Sequence, residues 1–283
     1  MYKEYWALEE MPFETAPNPR FYFPSLKHEE AFSRLLYGIK QTKGAMMVTG
    51  EIGCGKTLLA RTLIKKVPVD RFDIVLVESP PSQRIELLRE ILYYMMKGPI
   101  LTKGSTAKTG WMLRQALKQQ LMDRASNGHR TIIILDEAQV INDREAFEEI
   151  RLFLNFQLED RFLFTLILVG QPELRQKISL IEQLNQRIEV RYHLRPFGYD
   201  EMVSYVASRL KTAGLKNHAT ELFLPDALLM IHKHSGGIPR NVNNLCDLSL
   251  LTAFIAKCRV IDAKIVERVV LDQYSERSSA HGV

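Results

Sequence analysis

A glycine-rich turn followed by lysine and threonine is the stretch of this sequence best suited to bind phosphate. Residues 50–57 read GEIGCGKT and match the pattern GxxxxGK[ST] in full, between an apolar run and the apolar start of a helix. Glycine lets the backbone curl so that several N–H groups point at a phosphate near a helix N-terminus. In this pattern Lys56 neutralises the β and γ phosphates, and Thr57 provides a hydroxyl to Mg²⁺. The residues predicted to contact ATP here are Gly50, Glu51, Ile52, Gly53, Cys54, Gly55, Lys56, Thr57 and Leu58.

Two carboxylates follow a short run of β-branched and apolar residues. Residues 131–135 read TIIIL, which is typical of a central parallel strand, and Asp136 and Glu137 come directly after it. Because ligands of open α/β sheets bind at the carboxyl ends of strands, we predict that Asp136 holds Mg²⁺ and that Glu137 polarises an attacking water. Taken singly, the two motifs have plainer interpretations as a chance glycine turn and an acidic turn. Together they predict ATP hydrolysis, and not only binding.

Strand and helix patterns alternate through the first two thirds of the chain. The predicted strands are residues 44–50, 72–78, 131–135, 162–169 and 188–194, and the predicted helices are 56–66, 84–96, 111–126 and 144–157. This alternation predicts an α/β fold, with a parallel sheet sandwiched by helices. Residues 97–110 contain Gly, Pro, Ser, Thr and Lys, and are predicted to form an exposed loop.

The strand pattern ends after Pro196, and amphipathic stretches follow. They predict helices at residues 200–213, 225–234, 239–257 and 262–274, which form a small all-helical domain. The predicted domains are therefore residues 1–196, which bind ATP, and residues 197–275. The polar residues 276–283 are predicted to be a disordered tail.

Composition, charge and cysteine content set weaker limits. The formal charge of +5 permits contact with nucleic acid or an anionic membrane surface but establishes neither. Cys54, Cys246 and Cys258 lack metal-ligand spacing, so we predict reduced thiols in a cytoplasmic protein. The N-terminus has acidic residues where a signal peptide is basic, and no run approaches the ~18 apolar residues of a membrane span. We therefore predict a protein that its own sequence neither exports nor inserts into a membrane.

Four stretches together resemble AAA+ ATPases. They are MPFETAPNPRFYFPSLKHEEAFSRLLYGI at 11–39, DEAQ at 136–139, LVGQPEL at 168–174 and GIPRNVNNL at 237–245. Within these ATPases the sequence most resembles the ExeA/GspA type of the general secretion pathway and its pilus relative MshM. The resemblance covers nearly the whole chain. Many NTPases share the phosphate motifs, whereas the LVGQPEL and N-terminal patterns are narrower. It implies a P-loop NTPase sheet followed by a helical lid domain.

The resemblance also implies roles for a polar residue and several arginines. Gln171 matches the sensor-1 position, which reads the γ-phosphate, and Arg240 matches the sensor-2 arginine of the lid. Arg187 lies where the family keeps an arginine finger that reaches the nucleotide of a neighbouring subunit, with Arg191 and Arg195 as alternatives. The plainer interpretation is a turn glutamine and solvated surface arginines.

For adenine, the resemblance implies a cleft between the N-terminal segment, the first helix and the lid. The residues expected at its wall are Phe21, Tyr22, Phe23, His28, Ile238 and Pro239. Packing in an aromatic core is an equally good interpretation of the first three. Cys54 departs from the small or hydroxyl residue usual at its loop position. It is expected to leave phosphate binding intact and to make the site sensitive to thiol reagents.

A finger that acts in trans implies a homo-oligomer, either a ring or a filament. The first functional hypothesis is an ATPase whose nucleotide-controlled assembly helps to build a cell-envelope machine, such as a type II secretion system or a pilus. It would lie in the cytoplasm, or at the inner membrane through a partner protein. The second is an ATP-dependent DNA-binding regulator of transposition or replication, since TniB, TnsC, MuB-like proteins and replication initiators share this core. The third is a switch in which hydrolysis acts as a timer.

One predicted loop bears on the second hypothesis. The helix at 84–96 resembles an extra helix of the initiator branch, and Lys97, Lys103 and Lys108 follow it. In a ring, such a loop could follow a phosphate backbone, whereas a solvated loop is the plainer interpretation.

Overall fold

The computed structural model of the protein describes residues 2–15, 18–97, 109–158, 161–215 and 222–280. The helices are α1 (Tyr2–Tyr5), α2 (Leu26–Lys40), α3 (Lys56–Lys66), α4 (Arg84–Met96), α5 (Gly110–Ser126), α6 (Arg144–Phe153), α7 (Pro172–Ser179), α8 (Glu182–Arg187), α9 (Tyr199–Thr212), α10 (Pro225–Ser235), α11 (Pro239–Ile255) and α12 (Ala263–Ala280). The strands are β1 (Ala45–Gly50), β2 (Phe72–Val77), β3 (Arg130–Leu135), β4 (Gln157–Leu158), β5 (Arg161–Phe162), β6 (Phe164–Gly170) and β7 (Ile188–Leu194). Internal contacts divide the chain into an α/β unit, residues 26–51 and 56–194, and a helical unit, residues 1–25, 52–55 and 195–283.

The α/β unit is built on a five-stranded parallel sheet with the strand order β2-β3-β6-β1-β7. Strands β1 and β6 are buried along their whole length, as expected for apolar runs covered on both faces. Leu135 of β3 pairs with Leu168 of β6, and Thr49 of β1 pairs with Gly170 of β6. These registers bring the carboxyl ends of three adjacent strands to one edge of the sheet, where the predicted phosphate loop and acidic pair begin. The predicted α/β fold class is confirmed.

Alternate residues of each strand pack into two separate apolar layers of the α/β unit. Met47, Ile133 and Leu166 share one core cluster with residues of α4, α5 and α6. Met46 and Ile132, one position away along their strands, share the other cluster with residues of α2 and α3. Helices therefore cover both faces of the sheet, and the two-residue repeat of the strands assigns each side chain to a face.

The helical unit includes the N-terminal segment of the chain. Trp6 is buried in the same core as residues of α9 to α12, and its indole N–H donates to the carbonyl of Leu250 at 3.2 Å. Arg209 is 7% exposed, and its guanidinium donates to the main-chain carbonyls of Pro12 and Glu14. Residues 1–25 are predicted from sequence to belong with the ATP-binding domain, and in the structure they group with the helices. The boundary predicted near Pro196 lies close to the division at residue 195.

Several predicted element limits differ from the structure. Helix α6 ends at Phe153 and not at residue 157, because Gln157 instead pairs with Phe162 in a short antiparallel hairpin. The helices α7 and α8 were not predicted, since they span too few residues to show an apolar period. Helix α12 continues to Ala280 and covers part of the predicted disordered tail. Residues 281–283 lie outside the described part of the chain, as do Lys103 and Lys108 of the predicted loop.

Candidate nucleotide-binding site

The phosphate loop joins β1 to α3 and takes backbone angles that glycine adopts readily. Gly53 has φ +87° and Gly55 has φ +91°, both in the left-handed region where a side chain is strained. Residues 52–55 belong to the helical unit, and there a Cβ on Gly53 would lie 2.6 Å from the Cβ of Arg240. Glycine at position 53 is therefore needed for the turn and for the close packing of the loop against the start of α11.

Lys56 is the first residue of α3 and is only 5% exposed. Its ammonium group donates to the carbonyl oxygens of Gly50 at 2.8 Å and Glu51 at 2.9 Å. Both acceptors are neutral main-chain groups that also border the loop, so they fix the ammonium there without cancelling its charge. This arrangement of a buried cation beside a glycine turn at a helix N-terminus fits a triphosphate.

The two residues predicted to hold Mg²⁺ are in direct contact. The hydroxyl of Thr57 donates to Oδ2 of Asp136 at 2.7 Å, and the main-chain N–H of Glu137 donates to Oδ1 at 2.9 Å. Asp136 is 2% exposed, and this burial raises the pKa of its carboxyl, although the hydrogen bonds from Thr57 and Glu137 oppose the rise. A hydroxyl and a carboxylate placed side by side are hard oxygen donors, so the pair fits Mg²⁺.

Glu137 stands in a left-handed backbone conformation, with φ 51° and ψ 33°, directly after β3. This conformation is uncommon for a residue other than glycine and is often found at functional sites. Its Oε2 accepts a hydrogen bond from Nε2 of Gln139 at 2.5 Å and a longer one from Nε2 of Gln171 at 3.4 Å. The structure therefore brings Gln171 beside Glu137, as adjacent strands β3 and β6 require.

Gln139 is the polar residue of this group to which the sequence analysis gave no role. It was noted only as the last letter of DEAQ, yet it contacts both Glu137 and the main chain of Gln171. Its position two residues after the predicted base is the signal that could have identified it. Gly170 was missed as well, although its lack of a side chain makes room for Gln139.

The three arginines considered for the trans-acting role differ in their contacts. Arg187 donates to the carbonyl of Leu154 at 2.8 Å and to Oδ1 of Asn155 at 2.6 Å, at the C-terminal end of α6. Arg191 donates to Oδ1 of Asn185 at 2.7 Å, and burial, followed by repulsion from another arginine, lowers its pKa. Arg195 is exposed at the first position of the last segment of the helical unit. Within the described residues, Arg187 and Arg191 therefore serve as local anchors.

The predicted lid residues lie at the start of α11. Ile238 is the N-cap residue, Pro239 occupies the first turn, and the main-chain N–H of Arg240 donates to the carbonyl of Gly53 at 3.3 Å. The Arg240 side chain itself is exposed. The preceding Gly237 has φ +70°, and a Cβ there would lie 2.1 Å from the carbonyl oxygen of Phe197.

The remaining predicted contacts are mostly buried. His28 is 5% exposed within the α/β unit, and Phe21 lies in the core of the helical unit, as the aromatic-core interpretation predicts. Cys54 is 1% exposed, so thiol reagents have little access to it in this conformation. The predicted sensitivity to such reagents is therefore not supported, because the loop encloses the sulfur.

The sheet, the phosphate loop and the acidic pair define a P-loop NTPase of the AAA+ type, and the chain belongs to this class. The family described as "AAA domain" matches residues 39–178. Among curated proteins, the chain is similar to General secretion pathway protein A of Aeromonas hydrophila, with 34% identity over 256 residues. The match covers 90% of this chain and 45% of that protein, so the chain spans about half of its relative's length.

Solved structures with the same fold include ORC proteins. The ORC2 protein of Aeropyrum pernix, solved with ADPNP and ADP, has a TM-score of 0.67 and 17% identity, and the match covers 93% of this chain and 71% of that one. Drosophila ORC bound to DNA has a TM-score of 0.69 and 15% identity, over 93% of this chain and 64% of that one. At these identities, the likeness shows the fold alone.

Proposed function

We propose that the protein is a Mg²⁺-dependent ATPase, which hydrolyses ATP to ADP and phosphate. The observation that carries this proposal is the Thr57–Asp136 contact of 2.7 Å beside Lys56 and Glu137, at one edge of the sheet. Binding alone would need the loop and Lys56. A second carboxylate, in a conformation that is unusual for glutamate, fits a group that acts on water.

In the proposed mechanism, the chain positions a triphosphate and activates water. The loop amides and Lys56 hold the phosphates, and Thr57 and Asp136 are the residues that would hold Mg²⁺. The metal, when bound, neutralises charge on the phosphate oxygens. The Glu137 carboxylate orients the attacking water and accepts its proton, while Gln171 donates its amide N–H toward the γ-phosphate.

We propose that hydrolysis is completed by an arginine of a neighbouring subunit, so the active form is a homo-oligomer, either a ring or a filament. Arg187 is the first candidate, because it lies at the junction of α8 and β7 where the resemblance expects the finger. It would have to leave its contacts with Leu154 and Asn155 to act. Arg191 and Arg195 are the alternatives.

The contact between the loop and α11 supports a link between nucleotide state and the helical lid. The Gly53 carbonyl accepts the N–H of Arg240, so a change in the loop is transmitted directly to the first turn of α11. Because Arg240 is itself the proposed sensor of the γ-phosphate, we propose that ATP and ADP favour different lid positions. This difference would drive assembly and disassembly.

The proposed role of the assembly is to help build a cell-envelope machine of the type II secretion or pilus type. The similarity to General secretion pathway protein A supports this role. No helix in the described ranges combines the length and apolar character needed to cross a bilayer. We propose that the protein works in the cytoplasm, or at the inner membrane where it is held by an envelope protein.

A DNA-binding regulator is the second candidate, favoured by one surface. Tyr93 and Tyr94 are 48% and 43% exposed near the C-terminal end of α4, next to Lys97, and their rings contact each other edge to face. Exposed aromatic side chains near a basic residue can stack on the bases of single strands. Tyr93→Ala and Tyr94→Ala would then weaken DNA binding, and the wild-type affinity would fall steeply as salt is raised.

The decisive experiment measures MgATP binding by calorimetry and phosphate release on the purified chain. We expect binding, and turnover that rises with protein concentration because the finger acts in trans. An absence of MgATP binding by folded protein at concentrations that allow self-association would refute the ATPase proposal. ATP-stimulated DNA binding that is lost in Tyr94→Ala would favour the second candidate over the envelope role.

A further inference from the structure

Gln139 lies at the centre of a hydrogen-bond network that links the ends of β3 and β6. Its Nε2 donates to Oε2 of Glu137 at 2.5 Å, and its Oε1 accepts the main-chain N–H of Gln171 at 3.0 Å. Both ends of one amide group are therefore used, each by a residue with a proposed role in hydrolysis. A side chain that only filled space would not need this donor and this acceptor together.

The surroundings of Gln139 are arranged to fix its amide group. A Cβ on Gly170 would lie 2.8 Å from Oε1 of Gln139, so glycine there leaves the space that the amide occupies. Gly170 does not have a positive φ, and the turn alone does not explain its type. On the other side, Lys177 donates to the carbonyls of Gln139 and Ile141 and to Oδ1 of Asn142. The ammonium thus holds the short turn that carries Gln139.

The Glu137 backbone makes this support necessary. Its left-handed conformation is disfavoured for a residue with a side chain and persists only where neighbours determine it. The side chain is half-buried and has several single bonds that could rotate. The Gln139 amide restricts that rotation, because it binds one oxygen of the carboxylate and leaves Oε1 to act on water.

We propose that Gln139 is a positioning residue, which orients the Glu137 carboxylate and couples it to Gln171 through one amide group. When Gln171 shifts toward a phosphate, its main-chain N–H moves and the bonded Oε1 of Gln139 follows it. The Nε2 atom of the same amide group then shifts relative to Glu137. Base and sensor then respond together. This inference rests on the proposed ATPase function, but the hydrogen bonds of Gln139 can also be tested apart from turnover.

The first test compares two variants of similar shape. Gln139→Met removes donor and acceptor, and Gln139→Glu keeps an acceptor but places a like charge against Glu137. We expect kcat to fall about 10–100-fold in Gln139→Met and further in Gln139→Glu, with the Kd for MgATP within about twofold of wild type. Gln41→Leu is the control, because Gln41 is exposed at the opposite edge of the sheet. Equal kcat in the two variants and wild type would overturn the proposal, as would equal losses in both variants.

A second test uses Gly170→Ala, which crowds Gln139 without touching Glu137. We expect a loss of kcat in the wild-type background and a clearly smaller loss in a Gln139→Ala background, where the added methyl meets no amide oxygen. Leu174 also lies 2.8 Å from the added Cβ, so thermal unfolding of each variant is followed in parallel. Additive effects on kcat in folded variants would contradict the proposed role of the glycine.

A third test needs no activity. Urea midpoints are measured without nucleotide for Gln139→Met, Glu137→Met and the double variant, because methionine at either position removes a partner of the hydrogen bond. We expect the double variant to lose less than the sum of the single losses, because the two changes break one shared hydrogen bond. Additive midpoints would show that the side chains are not coupled and would overturn the inference. Wild-type protein that shows this coupling but no ATP turnover would refute the proposed function while the positioning contact survived.

Discussion

The acidic pair after β3 and the three candidate arginines are two groups of charged side chains with very different contacts. Asp136 is bonded to Thr57, and Glu137 to Gln139 and Gln171, all residues of the same edge of the sheet. Arg187 and Arg191, by contrast, are bonded to Asn155 and Asn185, which have no proposed role in catalysis. A role in trans would therefore require the arginines to exchange partners, whereas the acids are already placed. We therefore expect substitutions at Asp136 and Glu137 to impair each subunit by itself. Substitutions of the arginines should impair hydrolysis only in the assembly.

The largest effect is expected from Lys56→Ala, on MgATP affinity, because Lys56 is already fixed beside the phosphate loop. Removing the buried ammonium is expected to weaken MgATP binding more than about 100-fold, to below detection in calorimetry, because this is the cation that the carbonyls of Gly50 and Glu51 fix beside the loop. Lys65→Ala removes an exposed lysine of the same helix and serves as the control. Near-normal MgATP affinity in Lys56→Ala would contradict the role of Lys56 in binding phosphate.

The arginine side is tested by mixing subunits. Arg187→Ala, Arg191→Ala and Arg195→Ala are each expected to bind MgATP normally, while the variant that removes the finger loses about 1,000-fold in kcat. Mixing that variant with Lys56→Ala should restore turnover, since each subunit then supplies what the other lacks. Full activity in all three variants would show that none of them acts in trans.

Glu137→Gln sharpens the distinction between holding nucleotide and hydrolysing it. We expect a loss of about 10²–10⁴-fold in kcat with nucleotide affinity retained, because the amide accepts no proton from water. The ATP-bound assembly should then persist in sedimentation experiments. Glu29→Gln, an exposed change on α2, is the control. Turnover near the wild-type value would overturn the base assignment.

A pair of glycine variants tests whether the packing of the phosphate loop against α11 requires glycine at position 53. Gly53 and Gly128 have similar φ of +87° and +81°, but a Cβ on Gly53 meets Arg240 and one on Gly128 meets nothing within 4 Å. Gly128→Ala is expected to cost about 1–2 kcal/mol in unfolding free energy from the left-handed backbone alone. Gly53→Ala should cost more and also weaken MgATP binding. Equal urea midpoints would show that the loop yields to the added methyl.

The smallest expected effect is the pH dependence of stability that comes from Glu149, a buried carboxyl group paired with two arginines. Glu149 is 2% exposed, and burial raises the pKa of its carboxyl above the usual 4.5, although Arg114 and Arg84 lower it in part. Because the pKa of Glu149 is higher in the folded than in the unfolded chain, the unfolded chain loses the Glu149 proton first as pH rises. The contribution of Glu149 to stability is therefore full at low pH and falls as the pH passes the folded-state pKa. The advantage of wild type over Glu149→Gln in urea should therefore be larger near about pH 4 than near about pH 7. The opposite trend would show that the two arginines outweigh the burial.

Sequence was most informative where function is carried by adjacent residues. The glycines, Lys56 and Thr57 lie within one turn, and the apolar run 131–135 could only be a buried strand, so the sheet and its functional edge followed from local patterns. The contact between Thr57 and Asp136 is long-range, yet strand order in this fold places both at one edge. The residue-by-residue roles in ATP binding and hydrolysis stay predictions until they are measured.

Sequence was least informative where a role depends on distant neighbours. Nothing in the pattern around Arg187 indicates that it holds the end of α6, because its partners Leu154 and Asn155 lie 33 and 32 residues earlier in the chain. Gln139 likewise looks like a turn residue until β6 brings Gln171 beside it. The packing of the N-terminal segment is likewise hard to predict, since its apolar residues fit either unit and its link to Arg209 runs through the main-chain carbonyls of Pro12 and Glu14.

The contacts of the Arg209 guanidinium imply that the helical unit needs the N-terminal segment in order to fold stably. A fragment that starts at residue 197 would strand a buried cation without its carbonyl acceptors and would expose the aromatic surface that Trp6 and Phe13 cover. Such a fragment should aggregate when it is produced alone and recover when a peptide of residues 2–15 is added.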